Sequence, residues 1–394
     1  MHICGIITEY DPFHTGHAWQ ISAIREKFNG DCAVVCVMSG NWTQRAAPAL
    51  TDKHLRARLA LLGGADLVLE LPLPYAISSA EWFARGGVLT LAGTGIVTHL
   101  CFGSECGCLA PLEQAARCLD SEDYRKALHS FLHQGLSFPV ARQQAARQLI
   151  GPAADCLSQP NNNLGVEYLR ALQWCGSSIA PFTILRQGAG HGEAPQGGFA
   201  SASYLRRLLR EQRWEQARAY LLPGAAELLS SAPLSGSFHA ERAILYRLRQ
   251  LMPEDLASLP DCGEGLSNRL YRAIRQGTSV EEILFQAKSK RYPLSRLRRI
   301  LLWAFLGMTA ADRPETPPYL RVLGMNETGR ALLRNIEIQS SLPILAKPAH
   351  VRRMPESARH TFELEARATD LYGLCLPTVF PCGAEWTASP IHLP

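Results

Sequence analysis

Along the first 105 residues, short unbroken apolar runs alternate with stretches whose apolar residues recur at helical spacing. "ICGIIT", "CAVVCVMS", "DLVLELPL" and "THLCFGSE" read as strands buried on both faces. Between them, "TDKHLRARLALLGG" and "SSAEWFARGGVLTLAG" carry helical periodicity and end in glycine. This alternation predicts an α/β fold, a parallel sheet with helices on both faces. Ligands of such sheets bind at the carboxyl ends of the strands, where "TEYDPFHTGH", "SGNWTQR" and "GSECG" fall. Residues 110–180 read as mainly helical, "PFTILRQGAGH" as a fifth strand and loop, and "FASASYLRRLLREQ" as a helix opening after small hydroxyl residues. From about 210 onward the pattern is helical, broken by "LPGAAELLSSAPLSGS" and a proline-rich tail. We therefore expect an α/β unit over 1–220, with a helical insertion at about 110–180, followed by a mainly α-helical domain over 221–394.

The 394 residues suffice for two domains, and 47% hydrophobic with 19% charged residues is ordinary globular composition. No apolar stretch approaches the roughly 20 residues that span a bilayer, and "MHICGIITEYDPF" lacks the marks of a signal peptide. The expected address is the cytoplasm, away from any membrane. There the 12 cysteines, which include no C-x-x-C pair, should be reduced and mostly buried. The net charge of +5 is small, but arginine concentrates in "SYLRRLLREQRW", "ERAILYRLRQ", "NRLYRAIRQ" and "KSKRYPLSRLRRI". Such blocks suit a phosphate-facing surface, or equally a set of solvated helix faces.

Neither G-x-x-x-x-G-K-[ST] nor a G-x-G-x-x-G after the first strand is present. Anion binding would fall instead to the loop containing His14 and His17, which share one face of a helix's first turn. Free N–H groups and the positive dipole end favour phosphate there, and imidazoles can donate to phosphoryl oxygens. Gly16 permits close backbone approach. Zinc is the rival for an H-x-x-H pair, but no third ligand stands at a fixed spacing. A second helix start carries Ser201, Ser203 and Arg206. Its hydroxyls can cap the helix or hold phosphate oxygens, and the arginine can grip the same anion. Together the two starts could bracket a triphosphate.

That pair resembles the HIGH-type nucleotidyltransferases, with their H-x-G-H loop and I-S-[ST]-[ST]-x-x-R signature. Further blocks are similar to one branch, the bacterial tRNA(Met) cytidine acetate ligase family. They are "GIITEYDPFHTGH", "VMSGNWTQRAAPAL" with the helix after it, "CFGSE", "QPNNNLGVEYLRAL", "EGLSNRLYRAI", "KSKRYPLSRLRRILLWAFLGM" and "YLRVLGMNETGRALL". The resemblance covers nearly the whole chain. It implies a Rossmann-like nucleotidyltransferase fold and a two-step reaction. Acetate attacks ATP to give acetyl-adenylate and pyrophosphate, and the wobble cytidine of elongator tRNA(Met) then takes the acetyl group to give N4-acetylcytidine. It also implies His14, His17, Ser201, Ser203 and Arg206 as catalytic residues. The ATP contacts it implies are Ile7, Thr8, Glu9, Tyr10, Asp11, Pro12, Phe13, His14, Thr15, Gly16, His17, Ala18, Trp19 and Gln20, with Gly103, Asn161, Asn162, Arg186 and Gln187. Magnesium would accompany the ATP, and no protein metal site or obligate protein partner is expected.

The sequence departs from the family's wording at Asp11 and Thr15, where asparagine is common, at Ser203 within "SAS", and at Phe199 in place of isoleucine. Lys53 and Arg45 are candidates to offset the added charge of Asp11. Lys288, Lys290, Arg291, Arg296, Arg298 and Arg299 would track tRNA phosphates. Trp42 or Tyr292 could stack on an anticodon base, against the plainer reading that each is a core aromatic. Two rival functions remain: a small-molecule adenylyl- or cytidylyltransferase of the same superfamily, and a non-catalytic tRNA-binding relic.

Overall fold

The computed structural model describes residues 1–187, 195, 197–263 and 265–394. The "GAGH" end of the fifth strand's loop lies outside them. Strands β1 (His2–Thr8), β2 (Cys32–Ser39), β3 (Leu67–Leu71), β4 (His99–Ser104) and β5 (Ala180–Leu185) pair in parallel in the order β5-β4-β1-β2-β3. Helices α1 (Thr15–Lys27), α2 (Lys53–Leu62), α3 (Leu73–Ala76) and α4 (Ala80–Gly93) connect the first four strands. The excursion between β4 and β5 holds α5 (Leu109–Asp120), α6 (Glu122–His133), α7 (Phe138–Ile150) and α8 (Pro160–Trp174).

Alternation within the strands divides the core. Ile3, Ile7, Val35, Val37, Leu67 and Leu69 face the layer holding α4, α5 and α8. Cys4, Ile6, Val34, Cys36, Met38 and Val68 face the layer of α1, α2 and α9 (Ala202–Arg210). Every residue of β2 is buried, as a central strand covered on both faces requires. β1 is followed by β2 on one side and flanked by β4 on the other, so the chain reverses direction across the sheet there. The crevice at the carboxyl ends of β1 and β4 is the switch point where ligands of doubly wound sheets bind.

Downstream lie the helices α10 (Trp214–Arg218), α11 (Ala225–Ser230), α12 (Glu241–Arg249), α13 (Pro253–Ala257), α14 (Leu266–Gln276), α15 (Val280–Ala287) and α16 (Leu294–Leu306). α12 to α16 share a second core with Trp42, α3 and α18 (Glu356–Gly373). The helical reading of the chain's end needs one correction. Leu320–Met325 is a strand, β6, which runs antiparallel to β3 and extends the same sheet. β7 (Ile344–Leu345) and β8 (Ile391–His392) pair with it, and α17 (Glu327–Gln339) and α19 (Ala384–Thr387) lie between.

Charged residues pin this extension down. The Lys53 Nζ lies 2.7 Å from Glu70 Oε2 and 2.5 Å from Glu385 Oε1. Arg321 in β6 reaches the same two carboxylates at 3.2 and 2.6 Å. All four side chains are at most 4% exposed. Lys53 is thus committed to this quartet and does not offset Asp11. All 12 cysteines are free thiols, and only Cys106, Cys108 and Cys382 are exposed. No helix among the described residues is long and apolar enough to cross a membrane.

Candidate active site

His14 is the N-cap of α1, at the switch point. Its Nδ1 accepts the Gly16 N–H at 3.1 Å, and the His17 Nδ1 accepts the His14 N–H at 3.3 Å. The reciprocal cap stacks the rings, with centroids 3.7 Å apart and 25° between planes. Tyr10 and Phe13 pack on the His17 ring. Burial, reinforced by the Arg186 and Arg206 guanidiniums, pushes the His14 pKa down to about 3. Burial and then His14 and Arg186 push His17 well below its ordinary value. Both imidazoles are therefore neutral at pH 7. Since each Nδ1 accepts, each single proton sits on Nε2. The pair is a fixed set of two outward donors.

Gly16 makes this arrangement possible, because a Cβ there would stand 2.9 Å from His14 Cε1 and 3.0 Å from its Nδ1. Gly16→Ala must displace the imidazole and break its cap. The expected result is a fall in pyrophosphate exchange on the order of 10- to 100-fold, with an ordinary folded circular-dichroism spectrum.

Ser201 is the N-cap of α9. Its Oγ accepts the Tyr204 N–H at 3.3 Å and lies 3.1 Å from the Ser203 Oγ. One turn on, Arg206 Nη1 donates to the Asp11 carbonyl at 2.5 Å and stands 3.4 Å from its carboxylate. Asp11, which precedes a cis peptide to Pro12, also accepts the Leu50 N–H at 2.6 Å. Arg206 is thus the partner that the added charge of Asp11 meets. Arg45 lies within electrostatic reach of Asp11 and Glu9. Thr15 starts α1 and donates its N–H to the Tyr220 carbonyl.

On the β4–β5 side, Gly103 is where a Cβ would press on Arg186 Cγ at 3.0 Å. Arg186 Nη1 donates to Asn161 Oδ1 at 3.3 Å, and Gln187 follows it, exposed. Sequence reasoning missed the organiser here, Glu105. Its carboxylate accepts the Asn161 and Asn162 N–H groups at 3.1 and 2.7 Å and caps α8. The buried Asn162 returns the favour, accepting the Glu105 and Cys106 N–H groups at 2.9 and 3.2 Å. Asn162 thereby shapes the loop after β4, while Asn161 stands with Arg186.

A second missed residue is Arg56. It is fully buried and donates to the carbonyls of Glu9, Ser39, Gly40 and Thr51, tying the loop after β1 to the loop after β2. Its signal was a basic residue on the apolar face of "KHLRARLALL", one turn after Lys53.

The structure brings Arg186 and Arg206 within electrostatic reach of the His14–His17 pair, with Ser201 capping the helix that carries Arg206. The basic block lies apart, in the connection between α15 and α16 and on α16 itself. There Lys288, Lys290, Arg291 and Arg298 are exposed, Arg296 donates to the Asp261 carbonyl, and Arg299 is half-buried. The stacking candidates are corrected. Trp42 is 3% exposed with its Nε1–H bonded to the Ala368 carbonyl, and Tyr292 is 8% exposed. Both are core aromatics. Among the described residues no group of three or more His, Cys, Asp or Glu side chains could hold a metal ion.

A doubly wound sheet with paired imidazoles capping its first helix is the architecture of a nucleotidyltransferase. The HIGH Nucleotidyl Transferase family model matches residues 1–382. The tRNA(Met) cytidine acetate ligase of Clostridium novyi is 34% identical over 407 residues, covering 100% of both chains. That of a Thermoanaerobacter species is 40% identical over 386 residues, covering 95% of each. A crystal structure of Thermotoga maritima TmcAL bound with alpha-thio ATP superposes with a TM-score of 0.92 at 32% identity, over 100% of this chain and 99% of that one. The chain belongs to the tRNA(Met) cytidine acetate ligase family of HIGH nucleotidyltransferases.

Proposed function

We propose that this chain is an ATP-dependent, AMP-forming ligase that activates acetate and acetylates the wobble cytidine of elongator tRNA(Met). The observation that carries the reading is the stacked, reciprocally capped His14–His17 pair at the switch point, with Arg186 and Arg206 within electrostatic reach. In the first step an acetate oxygen attacks the α-phosphorus and pyrophosphate leaves. Negative charge grows on phosphoryl oxygens, and preorganised donors aimed there are the main source of acceleration. The two Nε2–H groups donate to those oxygens. The α1 N-terminus adds its dipole, and Arg206, steadied by Asp11, supplies fixed positive charge. Ser201 holds the start of α9, which lets Ser203 and Arg206 face the nucleotide. Gly103, Asn161, Arg186 and Gln187 line the adenosine side. Magnesium would be carried on triphosphate oxygens, because Asp11 is already engaged by Arg206 and Leu50.

The test is exchange of labelled pyrophosphate into ATP. Exchange that requires acetate and proceeds without tRNA is expected, followed by N4-acetylcytidine in a tRNA(Met) transcript. Exchange driven by a different acid or phosphate would point to a small-molecule transferase, and none under any condition to a binding protein.

The exposed Lys288 and Lys290 belong to the RNA-facing surface in this reading. Replacing both by alanine should weaken tRNA binding and reduce the slope of log K against log salt by about 2. Titrating binding across salt concentrations checks this, and an unchanged slope removes the stretch from the RNA surface.

A further inference from the structure

The second half-reaction needs something the first does not, a group that removes a proton from the attacking amine. The geometry points to Glu9 as that base. The inference rests on the proposed acetyl transfer to a cytidine amine.

Topology places Glu9 on the acceptor side. Gly103, Asn161 and Arg186 lie beyond β1 on the β4–β5 half of the sheet, leaving the β2–β3 half for the acceptor. The Glu9 side chain turns to that half, its Oε1 accepting the Gln44 N–H at 2.7 Å from the loop after β2. Arg56 fixes its backbone, donating to the Glu9 carbonyl at 2.6 Å.

The other groups of the crevice are committed elsewhere. His14 and His17 accept at Nδ1 and carry their protons on Nε2, so they face the crevice as donors. Asp11 has one oxygen on the Leu50 N–H and the other beside Arg206. The Tyr10 hydroxyl is buried against the Cys36 thiol. Glu9 is half-buried, and among the described residues its Oε2 makes no hydrogen bond or ion pair. One carboxylate oxygen is thus positioned by its twin and left available.

The charged surroundings suit the task. Burial raises the Glu9 carboxyl above its ordinary range, Asp11 adds to this, and the Gln44 N–H, Arg45 and Arg206 oppose it. Tyr168 from α8, whose hydroxyl donates to the Ile7 carbonyl at 3.5 Å, is within electrostatic reach of the same carboxylate. A raised pKa makes the Glu9 carboxylate a stronger base. In the transfer step the cytidine N4 lone pair forms a bond to the acetyl carbonyl carbon. The bond from that carbon to the AMP phosphate oxygen breaks, and its electron pair leaves on AMP. The N4 proton passes to Glu9 Oε2 and then to solvent.

The experiment compares Glu9→Gln, which can still accept the Gln44 N–H, with the wild type in each half-reaction. Single-turnover transfer from preformed acetyl-adenylate should fall by about 100-fold or more, and by at least about 10-fold more than acetate-dependent exchange, which Glu9 touches only as part of the nucleotide loop. Wild-type transfer should rise with pH through one ionisation on the acid side, a limb that Glu9→Gln lacks and Glu9→Asp keeps at a lower rate. Equal losses in both half-reactions, or unimpaired transfer, would overturn the assignment and leave Glu9 as a support of the nucleotide loop. If the wild type shows no acetate-dependent exchange, the proposed function itself falls, and this assignment with it.

Discussion

His17→Ala is expected to slow acetate-dependent pyrophosphate exchange by about 10²- to 10³-fold, the usual cost of losing one preorganised donor to a developing oxyanion, while the Kd for tRNA stays within a factor of about 2. The substitution removes two things at once, the Nε2–H donor and the acceptor of the His14 N–H. Two further variants separate them. Asparagine can place its Oδ1 near the Nδ1 position and keep the cap, but it has no donor at the distal position. Glutamine can place an N–H near the distal position. If the donor carries the effect, His17→Asn loses nearly as much as alanine, and His17→Gln recovers part of the rate. If capping carries it, asparagine recovers and glutamine does not. The pH profile gives an independent reading. Both imidazoles are held well below their ordinary pKa, so they keep the same neutral form through the range where a free histidine titrates. Adenylation should not lose rate between pH 7.5 and about 5.5 through imidazole protonation. A fall centred near 6.5 would show that the stacked pair is not neutral in the working enzyme.

What could be read from the residues alone follows the range of the interactions. β1, β2 and β4 are continuous apolar runs because both faces are covered, and that pattern is local. The His14–His17 pair and the Ser201–Arg206 helix start are equally local, since each needs only helical spacing after a strand or a capping residue. β6 is different. "LRVLGM" carries Arg321 and Gly324, which break the apolar run, yet every residue of it is buried. The charge is tolerated because Glu70 and Glu385 neutralise it, and Glu385 comes from a helix more than 60 residues further along. No window around β6 contains that information. Trp42 and Tyr292 fail for the same reason in reverse. Their aromatic rings suit a base stack, and only the packing of α12 to α16 and α18 shows them enclosed. Glu9, Arg56 and Glu105 act through backbone groups of other loops, so their partners have no sequence signature at all.

The buried quartet yields the largest expected effect on stability. Glu385→Ala should destabilise the chain by about 3–5 kcal/mol, because it leaves cations desolvated without their counter-charge. Glu385 Oε1 receives both Lys53 and Arg321, and its Oε2 accepts the Thr369 hydroxyl at 2.7 Å. Removing it leaves Glu70 as the remaining carboxylate of the quartet to face two cations. Glu385→Gln keeps the shape and a carbonyl acceptor, so its loss should be smaller though still clear. Burial opposes ionisation of Glu385, but Lys53 and Arg321 outweigh it and hold the carboxyl below its ordinary range. The unfolded chain therefore takes up the proton first as pH falls. The contribution of Glu385 is present in full above the ordinary glutamate pKa of 4.5 and is lost as pH falls towards its lower folded value. Urea unfolding of the wild type and both variants at pH 7 and pH 4 measures this. The gap between wild type and Glu385→Gln should narrow at the lower pH. A loss below about 1 kcal/mol for Glu385→Ala at pH 7 would place the quartet with surface ion pairs in its energetic weight. The seam between β3 and β6 would then owe its strength to backbone pairing and to Leu67, Leu69, Leu320 and Val322.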